Sequence, residues 1–412
     1  MAKHSEAPGY NAPPALATFP REEFEARWRR LQVAMENHGM SALVATNEPN
    51  YRYLTGHRNQ RWPNMVRPRA VILPLKGEPI MLVGEVEAWG IHEVTHVRDV
   101  RTYRGVRADE GYGLFLVRAI LETLAELGIN SKTDRVGIER GGNMRVGLSV
   151  DDFLLLEKAL APVELADASQ IWWWSTVVKS PLEIDCIRRA AQITSRAFDQ
   201  IQQDIRIGMT EMDVERRFNE LQLSYGCERP TYVPVNFHRG RDPREHFIIL
   251  GTSTNRKLEK DMSIVMDGGC TVDGYWSDFN REFATGKPSK KTSEVYEIMW
   301  QAVEAAIAAV KPGRPISDVA KAQLDIFRKA GWQDVATIHG IYGHGLGLFS
   351  TAPPYVTMLH DTIMSEGLFF TIEPTASIPG FGVSIQEENV VVTADGCELL
   401  SKRASRTIPI VG

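Results

Sequence analysis

Asp267-Gly268-Gly269-Cys270-Thr271-Val272-Asp273-Gly274-Tyr275-Trp276-Ser277-Asp278-Phe279-Asn280-Arg281 is the stretch on which the reading of this chain turns. Residues 263–267, which lead into it, are apolar and strand-like. Asp273-Gly274 is a strong turn signal, and residues 275–283 read as the return strand. A hairpin of this kind brings Asp267 and Asp278 close from opposite strands. Two buried carboxylates side by side repel, and one takes up a proton unless a cation sits between them. A metal ion is the simplest remedy.

A second hairpin repeats the arrangement. Residues 368–373 are strand-like, Pro379-Gly380-Phe381-Gly382 supplies a turn, and residues 383–393 return. Side chains alternate along a strand, so Ile385, Glu387, Asn389 and Val391 share one face and Glu388 points the other way. Glu373 and Glu387 are thus a second candidate pair. Taken singly, each of these acids reads equally well as a solvated or salt-bridged surface residue; two acid-bearing hairpins together do not. His344 lies between them in Gly343-His344-Gly345-Leu346-Gly347, where flanking glycines allow close backbone approach and expose the imidazole. One histidine and four carboxylates form a hard, oxygen-rich set suited to Mn²⁺, Co²⁺, Zn²⁺ or Fe²⁺, and to two ions rather than one.

The rest of the chain fits around this centre. At 412 residues it exceeds one average domain of roughly 150, so two domains are expected. Apolar residues make up 43% and charged residues 24%, ordinary for a soluble globular protein. Lys plus Arg number 47 and Asp plus Glu 52, a net charge of −5 that speaks against nucleic-acid binding. No apolar run reaches the ~18 residues of a membrane helix. Cys186, Cys227, Cys270 and Cys397 are scattered, without a Cys-x-x-Cys, and suggest neither a zinc knuckle nor a disulfide framework. Residues 1–20 hold four prolines and no apolar signal core; they read as a flexible arm of a cytoplasmic protein.

Phe24, Trp28, Leu31 and Met35 mark a helix over 22–38. Strands are expected at 41–46, 69–74, 79–84 and 135–139, with a further helix over 113–127. That alternation describes an α/β domain over 21–170. Trp172, Trp173 and Trp174 fall in a linker, 171–180, and are read as plugging a domain junction. Ser180-Pro181-Leu182-Glu183 resembles a capped helix start, and Thr210 with Asp213 marks another. Helices are also expected over 292–310 and 316–330, within a second domain over 181–412.

The segments quoted above, followed by Ile372-Glu373-Pro374 and Glu387-Glu388-Asn389-Val390-Val391-Val392-Thr393, resemble the pita-bread metallopeptidases, the group of prolidase, aminopeptidase P, methionine aminopeptidase and creatinase. Ser41-Ala42-Leu43-Val44 and Asn50-Tyr51-Arg52-Tyr53-Leu54-Thr55-Gly56 look like the creatinase-type N-terminal domain. The resemblance implies a two-domain α/β protein with a creatinase-like α/β N-terminal domain and a pita-bread α+β catalytic domain. It implies that Asp267 chelates one metal, that Asp278 and Glu387 bridge two, and that His344 and Glu373 hold the other. Glu373 would also shuttle the proton of a metal-bridging hydroxide. The expected activity is hydrolysis of a C–N (amide) bond in a small carboxylate-bearing substrate, as in Xaa-Pro dipeptidases and aminopeptidases. In relatives the N-terminal domain of one subunit covers the active site of its partner, so a homodimer is implied.

Two departures bear on the substrate. Peptidases of the group usually carry histidines where this chain has Leu250 and Thr351. Their loss leaves open an osmolyte hydrolase or lyase of the same fold, acting on an ectoine-, creatine- or dimethylsulfoniopropionate-type compound. His238, His246 and His339 could substitute for the missing pair. Arg239 and Arg241, with Arg244, could hold a substrate carboxylate by bidentate hydrogen bonds. Trp62, near Arg58, Arg61 and Arg67, is a candidate for substrate capture from the N-terminal domain.

Overall fold

Ala42-Leu43-Val44-Ala45 is buried at every position, the signature of a strand covered on both faces. The computed structural model describes residues 2–3, 13–63, 67–103, 112–239, 251–332, 340–378 and 381–412. It divides into two compact units, 1–176 and 177–412.

In the first unit, Ala42–Ala45 lies inside a seven-stranded mixed sheet. It pairs antiparallel with Ala70–Pro74 and parallel with Arg135–Ile138. Ala70–Pro74 and Ile80–Gly84 form the expected antiparallel pair. Helix Tyr112–Glu126 lays Leu116, Ile120 and Leu124 on this sheet, and helix Arg21–Asn37 buries Phe24, Trp28, Leu31 and Met35. A helix not expected from the sequence, Glu48–Thr55, begins where the Asn47 side chain accepts from the Asn50 N–H. The buried Glu139 carboxyl reinforces that start, accepting from the N–H groups of Thr46 (2.6 Å) and Asn47 (3.0 Å). Helix Val150–Leu160 was likewise not foreseen.

The tryptophan row is helical too, within Ser169–Thr176 of this first unit. Trp172 and Trp173 are buried, and Trp173 Nε1 donates to the Gly142 carbonyl at 2.6 Å; Trp174 is half-exposed. Of the N-terminal arm, Ala2–Lys3 pairs with Asp99–Tyr103, and Leu16 N–H bonds to the Glu93 carbonyl at 2.8 Å. Residues 4–12 lie outside the described residues.

The second unit opens with helix Pro181–Asp204. Ser180 and Glu183 form a full capping box there, and Thr210 and Asp213 form another for helix Glu211–Ser224. A four-stranded sheet runs in the order Ile410–Val411, Arg281–Thr285, Ser263–Met266, Val235–His238. A five-stranded sheet runs Ala352–Thr357, Ile341–Gly345, Phe369–Ile372, Glu388–Val392, Cys397–Leu399. Helices Lys290–Ala309 and Ser317–Lys329 pack Val295, Met299, Val303 and Phe327 against Phe370, Ile372, Val390 and Val392 of that sheet. Among the described residues, no helix is long and apolar enough to cross a membrane.

Both expected return strands are interrupted rather than continuous. The first divides into Tyr275–Trp276 and Arg281–Thr285, the second into Gly382–Ile385 and Glu388–Val392. In the second hairpin the cause is Pro374, which has no N–H to give to the ladder. The N–H of Glu373 goes instead to the Tyr342 carbonyl of the neighbouring strand, at 2.9 Å.

Candidate metal centre

The interruptions are where the acids sit. In the first hairpin Met266 pairs with Arg281 and Thr271 with Trp276, one register running through the gap. That register sets Asp267 opposite Asn280, with Asp278 two residues along the same face. In the second hairpin Ile372 pairs with Glu388 and Thr375 with Ile385, again one register, which sets Glu373 opposite Glu387. Glu373 and Glu387 thus face one another in one interruption, and in the other Asp267 faces Asn280 with Asp278 on the diagonal.

His344 reaches the acids from strand Ile341–Gly345. A Cβ on Gly343, whose φ is +144°, would lie 2.0 Å from the Thr371 carbonyl oxygen, so the neighbouring strand can approach only because Gly343 has none. The imidazole Nδ1 meets the Gly345 carbonyl at 3.0 Å. A carbonyl only accepts, so Nδ1 carries the proton and Nε2 presents a lone pair. Nε2 lies 3.7 Å from Glu373 Oε2. Burial lowers the His344 pKa, keeping the ring neutral.

The five side chains converge in two trios that share Glu387. One is Asp278, His344 and Glu387, the other Asp267, Glu373 and Glu387; within each, the ligand atoms all lie within 4.8 Å of one another. Without cations the carboxyls are driven toward their neutral forms. Burial pushes Asp267 up to about 6, and burial with the charge of Asp267 pushes Glu373 up to about 8. Asp278 and Glu387 are raised as well, by burial and by the charges of the other acids. Asp267 Oδ1, Asp278 Oδ1 and Glu387 Oε1 are buried and have no hydrogen-bond partner among the described residues. Orphaned acceptors beside an unprotonated imidazole nitrogen fit divalent cations.

Several supporting groups were not foreseen. The Tyr232 hydroxyl donates to Asp278 Oδ2 at 3.0 Å, and burial beside Asp278 raises its pKa. Asn389 holds the Asp278 backbone on both sides: its Oδ1 accepts from the Asp278 N–H at 3.1 Å, and its Nδ2 donates to the Asp278 carbonyl. Tyr232 lies 46 residues before its partner on irregular chain, so no local spacing announces it. Glu388 does point away from the acids, as alternation requires. It takes Arg281 at 3.1 Å, Arg403 at 3.0 Å and the Ser401 hydroxyl.

The expected substrate groups are dispersed. His238 pairs with Ser263, whereas Val235, at the other end of the same strand, pairs with Met266 beside Asp267. His238 is thus several residues along the sheet from the acids, its ring edge-on to Phe381 with centroids 5.7 Å apart. Arg239 pairs with Glu259 and lines a cleft of about 350 Å³ with Lys287, Lys291 and Phe381. Trp62, in the first unit, lies 5.0 Å from the Tyr51 ring, with the Arg69 guanidinium 5.1 Å from its centroid. Arg241, His246 and His339 lie outside the described residues, as do Arg244 and Leu250.

Paired hairpins that carry four acids, with a histidine strand beside them, define a hydrolase built to hold divalent metal ions. Residues 185–394 match the model of metallopeptidase family M24, and residues 27–175 that of the creatinase/prolidase N-terminal domain. The chain belongs to metallopeptidase family M24 and is a metal-dependent hydrolase with the two-domain creatinase/prolidase architecture. It is 27% identical over 388 residues to the probable dipeptidase PepE of Mycobacterium tuberculosis, covering 92% of this chain and 94% of that one. The Xaa-Pro dipeptidase from Bacillus anthracis superposes with a TM-score of 0.81 at 22% identity, over 94% of this chain and 100% of that one. The N-terminal domain of FACT complex subunit SPT16 from Cicer arietinum also superposes, with a TM-score of 0.73 at 16% identity, over 95% of this chain and 99% of that one. The fold is therefore shared beyond the dipeptidases, and function has to be argued from the site.

Proposed function

We propose that this chain is an Xaa-Pro dipeptidase- or aminopeptidase-like enzyme that hydrolyses the amide bond of a small, carboxylate-bearing dipeptide. The observation that carries the reading is the pair of ligand trios sharing Glu387. Asp267 would hold one cation and His344 with Glu373 the other, and Asp278 and Glu387 would be shared between them. When bound, two divalent cations lower the pKa of water and offset the charge of the developing oxyanion. Tyr232 and Asn389 keep the Asp278 carboxylate aimed. Glu373 would take a proton from the attacking water and return it to the leaving amine. Arg239 and Arg241 would bind the substrate carboxylate, with His246 and His339 as further substrate contacts. Manganese is the working metal, and the enzyme is a cytoplasmic homodimer whose domains span 21–170 and 181–412.

The test is turnover of Gly-Pro, Ala-Pro and a proline-second tripeptide by Mn²⁺- and Zn²⁺-loaded protein, with metal content measured by elemental analysis. Metal-dependent cleavage is expected. Two bound metals without cleavage of any of the three would refute the peptidase assignment and turn the search to ectoines, betaines and sulfonium compounds.

A further inference from the structure

Asn280 is 1% exposed, and neither the nitrogen nor the oxygen of its side-chain amide has a hydrogen-bond partner among the described residues. Buried amides are almost always satisfied, so an orphan calls for a reason. Its direction is set by its neighbours. On one face of this strand Ser277 bonds Thr194 at 2.9 Å, Phe279 packs on Phe198 with centroids 5.5 Å apart, and the Arg281 guanidinium lies 5.9 Å from the Phe198 ring. On the other face Asp278 belongs to the acid cluster, and Glu282 accepts from Ser384 and Ile385. Asn280 stands between Asp278 and Glu282 on that second face, directly opposite Asp267.

Cations account for the orphaned acid oxygens and suit the Asn280 carbonyl oxygen, but not its amide nitrogen, because N–H donors repel a cation. An acceptor is needed. Asp267 Oδ1, Asp278 Oδ1 and Glu387 Oε1 all lack a donor among the described residues; of the three acids, Asp267 is the one that the strand register sets directly opposite Asn280. Opposed residues of an antiparallel ladder hold their Cβ atoms about 5 Å apart, within reach of a short amide and a short carboxylate.

We infer that Asn280 is a positioning residue of the metal centre: in the loaded site its amide N–H donates to Asp267 Oδ1 and fixes which carboxylate oxygen is turned to the cation. The inference rests on Asp267 being a ligand. Tyr232 for Asp278 and Asn280 for Asp267 then give each acid of the first hairpin one neutral donor. Donors of this kind typically govern metal affinity by 10–100-fold.

The experiment compares wild type with Asn280→Leu, Asn280→Ala and Asn280→Thr. Mn²⁺ titrations by calorimetry are paired with thermal unfolding of the chelator-treated proteins. Asn280→Leu keeps the branch at Cγ and removes both orphans, so the cation-free protein should still unfold cooperatively while Mn²⁺ affinity falls 10–100-fold. Asn280→Ala should show the same loss of affinity. Asn280→Thr, which retains a donor, should recover part of it. Unchanged affinity in the Leu and Ala variants, with wild type holding two Mn²⁺, overturns the inference alone. A wild-type protein that holds no Mn²⁺ overturns the metal-site reading with it.

Discussion

Glu282 supplies a test that separates burial from catalysis. Its carboxyl is buried, and Oε1 accepts from both Ser384 Oγ and the Ile385 N–H, each at 2.8 Å. Burial pushes its pKa from the usual 4.5 up to about 7. The folded state thus keeps this proton where the unfolded chain releases it. The stabilisation is complete below about pH 4.5 and is lost as pH rises through about 7. With 1.36 kcal/mol per pKa unit, the loss between pH 5 and pH 8 comes to about 2.5 kcal/mol. Glu282→Gln removes the titration while its amide oxygen still accepts both bonds. Urea unfolding of the chelator-treated proteins should therefore show the variant gaining about 2.5 kcal/mol on wild type between pH 5 and pH 8, roughly 1 M in midpoint. Because the comparison is a difference, the site acids cancel. Parallel stability curves at the two pH values would refute the reasoning.

Tyr232→Phe keeps the ring and removes the donor to Asp278; competition with a chelator should show Mn²⁺ held about 10–100-fold more weakly, with the melting temperature of the cation-free protein little changed. Arg281→Met strips one of two arginines from the buried Glu388 and should cost about 3–5 kcal/mol in urea unfolding. Gly343→Ala forces a methyl onto the Thr371 carbonyl and should abolish metal binding in elemental analysis, even in protein that retains its far-UV circular dichroism. Arg239→Ala should raise KM for a carboxylate-bearing dipeptide about tenfold or more, as expected for a lost charge-assisted hydrogen bond; an unchanged KM would place Arg239 outside the substrate site.

The acids and His344 stood out in the sequence because strand alternation and turn chemistry are local. Asp-Gly at 273–274 announces one hairpin, and the two-residue period separates Glu387 from Glu388. The capped helix starts at Ser180 and Thr210 are local in the same sense. Helix Glu48–Thr55 carries a local cap in Asn47 and Pro49, but it was not legible as a helix because Asn50–Thr55 are all buried and leave no apolar–polar period. Tyr232 and Asn280 escaped for other reasons: one acts across a long loop, and the other is conspicuous only once its lack of partners is seen. The ladder gaps were missed because alternation carries no warning that Pro374 withholds a donor and Glu373 turns its N–H to a third strand. His238 drew notice as a histidine near the hairpin in sequence, but sheet register carries it away from the acids.

Adjacent glutamates that face opposite ways make this hairpin sensitive to register in a manner its composition conceals. A slip of one residue would deliver Glu388 to the acid cluster and Glu387 to Arg281 and Arg403, exchanging two identical side chains between unlike duties. It would also turn Val390 and Val392 out of the packed helix–sheet layer and put Val391 in their place, a substitution equally hard to detect by hydrophobicity. Asn389 breaks the degeneracy. Its amide reads both the N–H and the C=O of Asp278, and neither valine nor glutamate can offer a donor and an acceptor in that geometry. One carboxamide thereby serves as the index mark by which the two hairpins find their alignment.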